Sequence, residues 1–282
     1  MKVLPFKIPK PAQEALVYQE DREVVFYDQL HQHEEIQISF ILQGSGTLIV
    51  GDSINSYQTN DILVIGGNVP HVFKSDLEST NPSVMYTLFF TENSFGEDFF
   101  SIPDLKGLKP FFRNAEFGMK ISKGNKAIIE SFKELQHRNK IERIATLLKV
   151  MNEIMAAEQI PLSSFVYGKK YSDDEGKRMR AVFEHAMKCY NQQISLDDIA
   201  EKANMTKNAF CRYFKKRTNK TFFQFLIEIR IENACKLLYK NPELSIAEIA
   251  EICGFQNITN FNRKFKQLKA MTPSTYRSQY KD

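Results

Sequence analysis

Three histidines and two clusters of cations and amides carry most of the chemistry available to this chain of 282 residues. His31-x-His33, with His71 further along, can present three imidazoles, a set suited to zinc, iron or nickel. The commoner use of such a set is the polar lining of a small-molecule pocket, and no metal is assigned to it at this level. The second group lies near the C-terminus: Asn208, Cys211 and Arg212, then Thr259, Asn262 and Arg263. Arginine suits guanine O6/N7 and asparagine suits adenine N6/N7, each pair contributing roughly 1–3 kcal/mol of base discrimination. Lys207, Lys215, Lys216, Lys264 and Lys266 stand beside them as candidate phosphate neutralisers. Other chemistries find little support. Cys189, Cys211, Cys235 and Cys253 form no C-x-x-C pair and read as reduced structural thiols. Gly44-x-Gly46 lies between strand patterns with no helix after it, so no nucleotide loop is indicated.

These residues need elements to position them. From Glu23 to about Phe90 the apolar period is two: Ile36, Ile38, Phe40 and Leu42, later Val84, Tyr86, Leu88 and Phe90. Gly44-Ser45-Gly46, Gly51-Asp52, Asn60-Asp61 and Gly66-Gly67-Asn68 punctuate it as turns. Short strands at this spacing predict an antiparallel sandwich or barrel. From Asn125 to about Glu158 the period becomes helical and predicts two amphipathic helices. Leu147, Leu148, Met151 and Met155 form a stripe that either packs on the strands or serves self-association. Residues 161–174, with Ser163-Ser164, Gly168 and Lys169-Lys170, read as a polar linker.

The rest is helical and contains a repeat. Ser195-Leu-Asp-Asp-Ile-Ala-Glu201 matches Ser245-Ile-Ala-Glu-Ile-Ala-Glu251 at an offset of 50 residues. Asn204 and Gly254, both suited to a positive φ, follow the two copies. Phe210-x-x-x-Phe214 then matches Phe261-x-x-x-Phe265, one further residue along. Ser195, Thr206, Ser245 and Asn257 are placed to cap helices. A capped short helix, a tight turn and a second amphipathic helix make a helix-turn-helix, here at about 195–217 and 245–268. In each unit the phenylalanines must face inward, which turns the Asn, Cys, Thr and Arg residues named above outward. Thr221 to Tyr239 reads as one joining helix of ~28 Å, comparable with the ~34 Å turn of a duplex.

Charge divides along the same line. Residues 1–171 hold 18 Lys+Arg against 21 Asp+Glu, a net of −3, whereas residues 172–282 hold 20 against 13, a net of +7. A basic module behind a mildly acidic one points to a polyanion such as nucleic acid. No run approaches the ~18 apolar residues of a membrane span. Pro5, Pro9 and Pro11 interrupt an N-terminus without a signal-peptide h-region, so a cytoplasmic protein without a membrane partner is expected.

The run Phe265-Lys-Gln-Leu-Lys-Ala-Met-Thr-Pro-Ser-Thr-Tyr276-Arg277, with Ile249-Ala250 and Gly254-Phe255 ahead of it, resembles the C-terminal signature of AraC-type transcription regulators. Arg230 to Leu238 resembles that family's linker helix, and the likeness covers roughly residues 175–280. Three positions depart from the pattern: Ala270 and Asn219 stand where the family usually has Gly, and Phe222 replaces a frequent Pro. The turns around His31, His33 and His71 resemble a cupin-type β-barrel, with Gln37 near the place of the cupin enzymes' Glu. The resemblance implies an α+β protein with a cupin-like antiparallel barrel at 1–120 and paired helices at 121–160 that serve dimerisation. The linker at 161–174 and an all-α DNA-binding domain at 175–282 would follow. It further implies a non-enzymatic, cofactor-free homodimer that binds double-stranded DNA, RNA polymerase and a small effector, a sugar by family habit. Activation is expected on the same ground.

Overall fold

The computed structural model describes residues 14–76, 81–121, 126–166 and 171–279, in two compact units that divide between Asp173 and Asp174. The readings placed on Pro5, Pro9, Pro11, Asn125, Gly168, Lys169 and Lys170 lie outside the described residues.

The first unit begins with strands β1 (Val17–Glu23), β2 (Ile36–Gln43), β3 (Gly46–Val50), β4 (Ser53–Tyr57), β5 (Ile62–Ile65), β6 (His71–Ser75) and β7 (Ser83–Phe90). Asn60, Asn68 and Gly51 take the positive φ that their turns require. After 3-10 turns come α1 (Lys109–Ala115), β8 (Met119–Ile121), α2 (Lys126–Glu134), α3 (Lys140–Ala156) and β9 (Gln159–Pro161). The strands form two antiparallel sheets, ordered β1-β7-β2-β5-β8-β9 and β4-β3-β6. Among the described residues the expected barrel is not closed: the two hydrogen-bonded sheets stay separate, and His31 makes an isolated bridge to His71, the first residue of β6.

Strand β2 is buried on both faces, which gives its alternation a different meaning from the usual apolar-in, polar-out pattern. Ile36, Ile38 and Phe40, with Val84, Leu88 and Phe90 of β7, pack against Ile128, Phe132, Leu147, Val150, Met151 and Ile154 of α2 and α3. The opposite face carries Ile41 and Met85 in a second apolar cluster, together with buried Gln37, Ser39 and Thr87. Gln37 donates to Ser39 Oγ at 2.8 Å, and Ser39 and Thr87 hydroxyls pair at 3.0 Å. Polar residues therefore alternate into a hydrogen-bonded interior rather than into water.

Two expectations are corrected here. Leu147 and Met151 are wholly buried in this unit's own core, with Leu148 and Met155 packed against it, so the stripe is not a self-association surface. The helices instead cover the apolar face that β2 and β7 offer. Residues 161–174 do not start as a polar linker either, because Pro161 closes β9 and Leu162 is buried. Ser163 and Ser164 look linker-like in sequence but both serve the buried carboxylate of Asp52, donating to it through their hydroxyls at 2.7 Å.

The second unit is all helical: α4 (Asp173–Cys189), α5 (Leu196–Lys202), α6 (Lys207–Thr218), α7 (Phe222–Lys240), α8 (Ile246–Ile252), α9 (Ile258–Lys269) and α10 (Pro273–Ser278). Phe183 of α4, Phe210 and Phe214 of α6, and Phe222 and Phe225 of α7 make one aromatic core. A second core gathers Ile231, Cys235 and Leu238 of α7 with Ile249, Cys253, Phe255, Phe261 and Phe265. Helix α7 thus carries one core at each end. Among the described residues no helix is long and apolar enough to cross a membrane.

Candidate nucleic-acid interface and a histidine-lined cavity

The two repeats fold alike down to individual hydrogen bonds. Ser195 caps α5 and Ser245 caps α8, each in a reciprocal capping box, with Asp198 and Glu248 respectively. The hydrogen bonds from Ser195 hold the Asp198 carboxyl below its ordinary range, and those from Ser245 do the same for Glu248. In the turns, Asn204 N–H donates to Glu201 O and Gly254 N–H to Glu251 O, both at 2.8 Å. Met205 N–H to Ala200 O and Phe255 N–H to Ala250 O follow, both at 2.9 Å. Asn204 has φ 52° and Gly254 φ 81°. Thr206 then caps α6 and Asn257 caps α9, the latter accepting from two backbone amides.

Helices α6 and α9 bury Phe210 and Phe214, and Phe261 and Phe265, on one side. Four-residue spacing stacks each pair on a single helix face. Asn208, Cys211 and Arg212 are exposed on α6, and Thr259, Asn262 and Arg263 are exposed on α9. Arg263 donates to Asn260 Oδ1 at 2.8 Å. Lys207, Lys215, Lys216 and Lys266 are exposed, whereas Lys264 is half-buried and donates to Gln267 at 3.3 Å. Lys207 also pairs with Asp197 of the preceding helix at 2.7 Å. Arg217, one residue beyond this group, is buried and ion-paired with Glu175 of α4, so it braces the unit.

Arg230 is a bracing residue that spacing alone did not single out. From α7 it donates to Tyr190 O at 2.7 Å and Gln192 O at 2.8 Å, and its guanidinium lies 5.8 Å from the Phe255 ring centroid. It thereby ties the loop leading into the first helix-turn-helix to the turn of the second. Burial pulls its pKa below the usual arginine value. Burial likewise pushes the Cys235 and Cys253 thiols up to about 12, which fits core packing rather than reactivity.

In the first unit His31, His33 and His71 come together. They line a cavity of about 220 Å³ with Gln19, Asp21, Glu23, Phe26, Tyr27, Gln37, Phe73, Met85 and Phe89. The signal for the additional wall was present in β1, where Gln19, Asp21 and Glu23 recur at period two. All three histidines are buried. Gln32, between the paired histidines, points elsewhere and donates to Tyr171 O at 3.4 Å.

With this geometry in view, comparison with known proteins is informative. A family model described as "Helix-turn-helix domain" matches residues 199–279, from within α5 to beyond α10. The chain is 24% identical over 262 residues to the uncharacterised HTH-type transcriptional regulator YdeC of Bacillus subtilis, covering 89% of this chain and 86% of that one. It is 24% identical over 243 residues to the Msm operon regulatory protein of Streptococcus mutans, covering 86% and 84%. The HTH-type transcriptional activator RhaR of Mannheimia succiniciproducens is also 24% identical, over 259 residues, with 89% and 87% covered. The duplicated units thus sit inside a likeness to HTH-type transcriptional regulators that runs along nearly the whole chain, and this protein is a DNA-binding transcription regulator.

Proposed function

We propose that the chain is a small-molecule-responsive activator of transcription. A cupin-like sensor occupies the first unit, and its effector enters the cavity beside His31, His33 and His71. The observation that carries this reading is the cavity itself, which sets three buried histidines and Gln37 of β2 against a polar wall of Gln19, Asp21 and Glu23 from β1. At about 220 Å³ it is smaller than the ~300–1,000 Å³ of drug-sized sites and suits a compact polar effector. RhaR, named as an activator, favours activation over repression.

On DNA, Asn208, Cys211 and Arg212 meet base edges in one major-groove segment and Thr259, Asn262 and Arg263 in the next. Lys207, Lys215, Lys216, Lys264 and Lys266 neutralise phosphates. The bound protein meets RNA polymerase and works as a homodimer. Effector binding shifts the population of sensor conformations, and the effector must bind the DNA-competent one more tightly. The segment leaving the sensor is gripped at two points suited to such a shift, Ser163-Ser164 on Asp52 and Tyr171 on Gln32.

A thermal-shift screen of small metabolites on the intact protein tests this reading, followed by operator titration with each hit. A hit should change operator affinity by at least about fivefold. Hits that stabilise the protein yet leave operator affinity and selectivity unchanged would sink the proposed responsiveness.

A further inference from the structure

We propose that a cleft between the outer edges of the two sheets is a second ligand site. It takes an uncharged molecule that offers a flat apolar face, a hydrogen-bond donor and an acceptor. The cleft shares no lining residue with the histidine-lined cavity and does not rest on the reading of that cavity. Strand β4 is the outer strand of one sheet and β9 of the other, and the two are not paired. A side chain spans the gap instead, with Asn55 Nδ2 donating to Leu162 O at 2.8 Å. The turn from α1 to β8 makes a further wall, closed by Phe117 N–H to Asn114 O at 3.1 Å and Gly118 N–H to Ala115 O at 2.9 Å. The cleft measures about 660 Å³, against about 220 Å³ for the histidine-lined cavity. That volume falls within the ~300–1,000 Å³ of small-molecule sites.

The lining selects the ligand. Among the described residues no charged side chain lines the cleft. The Asp52 carboxylate, held by Ser53, Ser163 and Ser164, is buried and already accepts from all three hydroxyls. Met119 and Leu162 are buried and form an apolar floor, while the Phe117 ring, 38% exposed, offers a flat face. Side-chain amides supply the polar contacts. Asn114 Nδ2 donates to Gln159 Oε1 at 2.9 Å, and Gln159 Nε2 donates to Ile154 O at 3.0 Å, which sets their orientations. Asn55 and Asn114 each engage one N–H in this way, so each keeps a second N–H and its carbonyl oxygen for a ligand. A carboxamide matches both kinds of group. A carboxylate brings only acceptors to the asparagine oxygens, an amidinium only donors to the N–H groups, and either mismatch weakens binding.

The cleft also reaches the segment that leaves the unit. Ser163 and Ser164 line it while gripping Asp52, to which Ser164 N–H donates at 3.1 Å. Release of that grip would carry off part of the floor, so the ligand favours the gripped arrangement and holds it.

The test uses the full chain with ¹³C-methyl methionine and three probes of one shape: benzamide, benzoate and benzamidine. Met119 lines this cleft and Met85 the histidine-lined cavity, so the two methyl groups report the sites separately. Benzamide should shift the Met119 methyl, with both charged probes binding at least about tenfold more weakly. Asn114→Leu should raise the benzamide Kd about fivefold, and Phe117→Ala, at an exposed position, should do the same without threatening the fold. At about ten times its Kd, benzamide should slow hydrogen exchange of the Ser164 amide about tenfold. An unmoved Met119 methyl overturns the proposal, as do equal affinities for the three probes or a Kd indifferent to both substitutions. Unchanged exchange at Ser164 overturns the hold on the exit segment. Shifts at Met85 with Met119 unmoved would seat benzamide in the histidine-lined cavity, which sinks this site and leaves the effector reading standing.

Discussion

The two helix-turn-helix units differ most where they are alike in purpose. Their turns reproduce the same pair of hydrogen bonds at the same lengths, from Asn204 and Met205 in one and Gly254 and Phe255 in the other. Their outer faces do not match: Asn208 corresponds to Thr259, Cys211 to Asn262, and only Arg212 and Arg263 agree. Duplication therefore keeps what folding requires and lets the exposed face vary. The αL positions show how much freedom remains even in the shared frame. Asn204 is exposed, whereas a Cβ on Gly254 would stand 2.8 Å from Asn191 O and 2.9 Å from Asn191 C. The second turn is pressed against the loop before the first unit, the same loop that Arg230 holds.

The largest test of this comparison lies in the cores. Phe214 is ringed by Phe183, Phe210, Phe222 and Phe225, whereas Phe265 meets Phe261 and Tyr276. Each Phe→Ala substitution should cost about 3–5 kcal/mol, with Phe214→Ala toward the upper end. Calorimetry of the intact chain reads both; equal losses would mean that the extra aromatic partners add nothing. Next comes the turn. Gly254→Ala adds an αL penalty to a backbone collision and should cost about 2–3 kcal/mol, against ~1 kcal/mol for Asn204→Ala. If the two cost the same, the approach to Asn191 does not constrain the second unit.

The surface test follows. Arg212→Ala and Arg263→Ala should each lose about 1–3 kcal/mol of base discrimination, at different positions of the operator. Lys216→Ala, by contrast, should weaken every sequence about equally and flatten the salt dependence. Binding-site selection on random DNA measures all three. Identical selected profiles for the two arginine variants would break the assignment of one groove segment to each unit.

The second unit was legible because its determinants are local: caps, a 3.6-residue period, a αL residue and paired phenylalanines all fall within a few turns of one another. The joining helix expected from Thr221 to Tyr239 forms as α7, capped by Thr221, with Phe225, Ile229, Cys235 and Leu238 buried along it. The first unit depends on partners far along the chain. Strands β8 and β9 are three residues each, and Pro161 disguises the second. No periodicity shows in so short a segment, and their pairing with β5 and each other is long-range. The stripe of Leu147 and Met151 was readable as apolar, but a sequence does not say whether such a stripe meets its own sheet or a second copy. Ser163 and Ser164 misled for the opposite reason, since their polarity answers to Asp52, more than a hundred residues earlier. The three histidines announced themselves by type, yet their convergence rests on a backbone bridge that spacing does not encode.

The smallest effect sharpens the comparison where both units end. The recognition helices finish on αL residues, Asn219 with φ 54° and Ala270 with φ 58°. Asparagine tolerates that region, while alanine meets its own Cβ against the following carbonyl at roughly 1–2 kcal/mol. Thr221 and Thr272 cap the next helix two residues later, so the chain has little room to relieve the strain elsewhere. Ala270→Gly removes the clash but also enlarges the unfolded ensemble, which offsets part of the gain. The net should be stabilisation by about 0.5–1 kcal/mol, or ~2–5 °C in the melting of the second unit. Asn219→Gly, with less strain to release, should change stability by no more than a few tenths of a kcal/mol. An equal gain from both would show that the Ala270 turn is no more strained than its counterpart, and that the second unit bears no cost for departing from glycine.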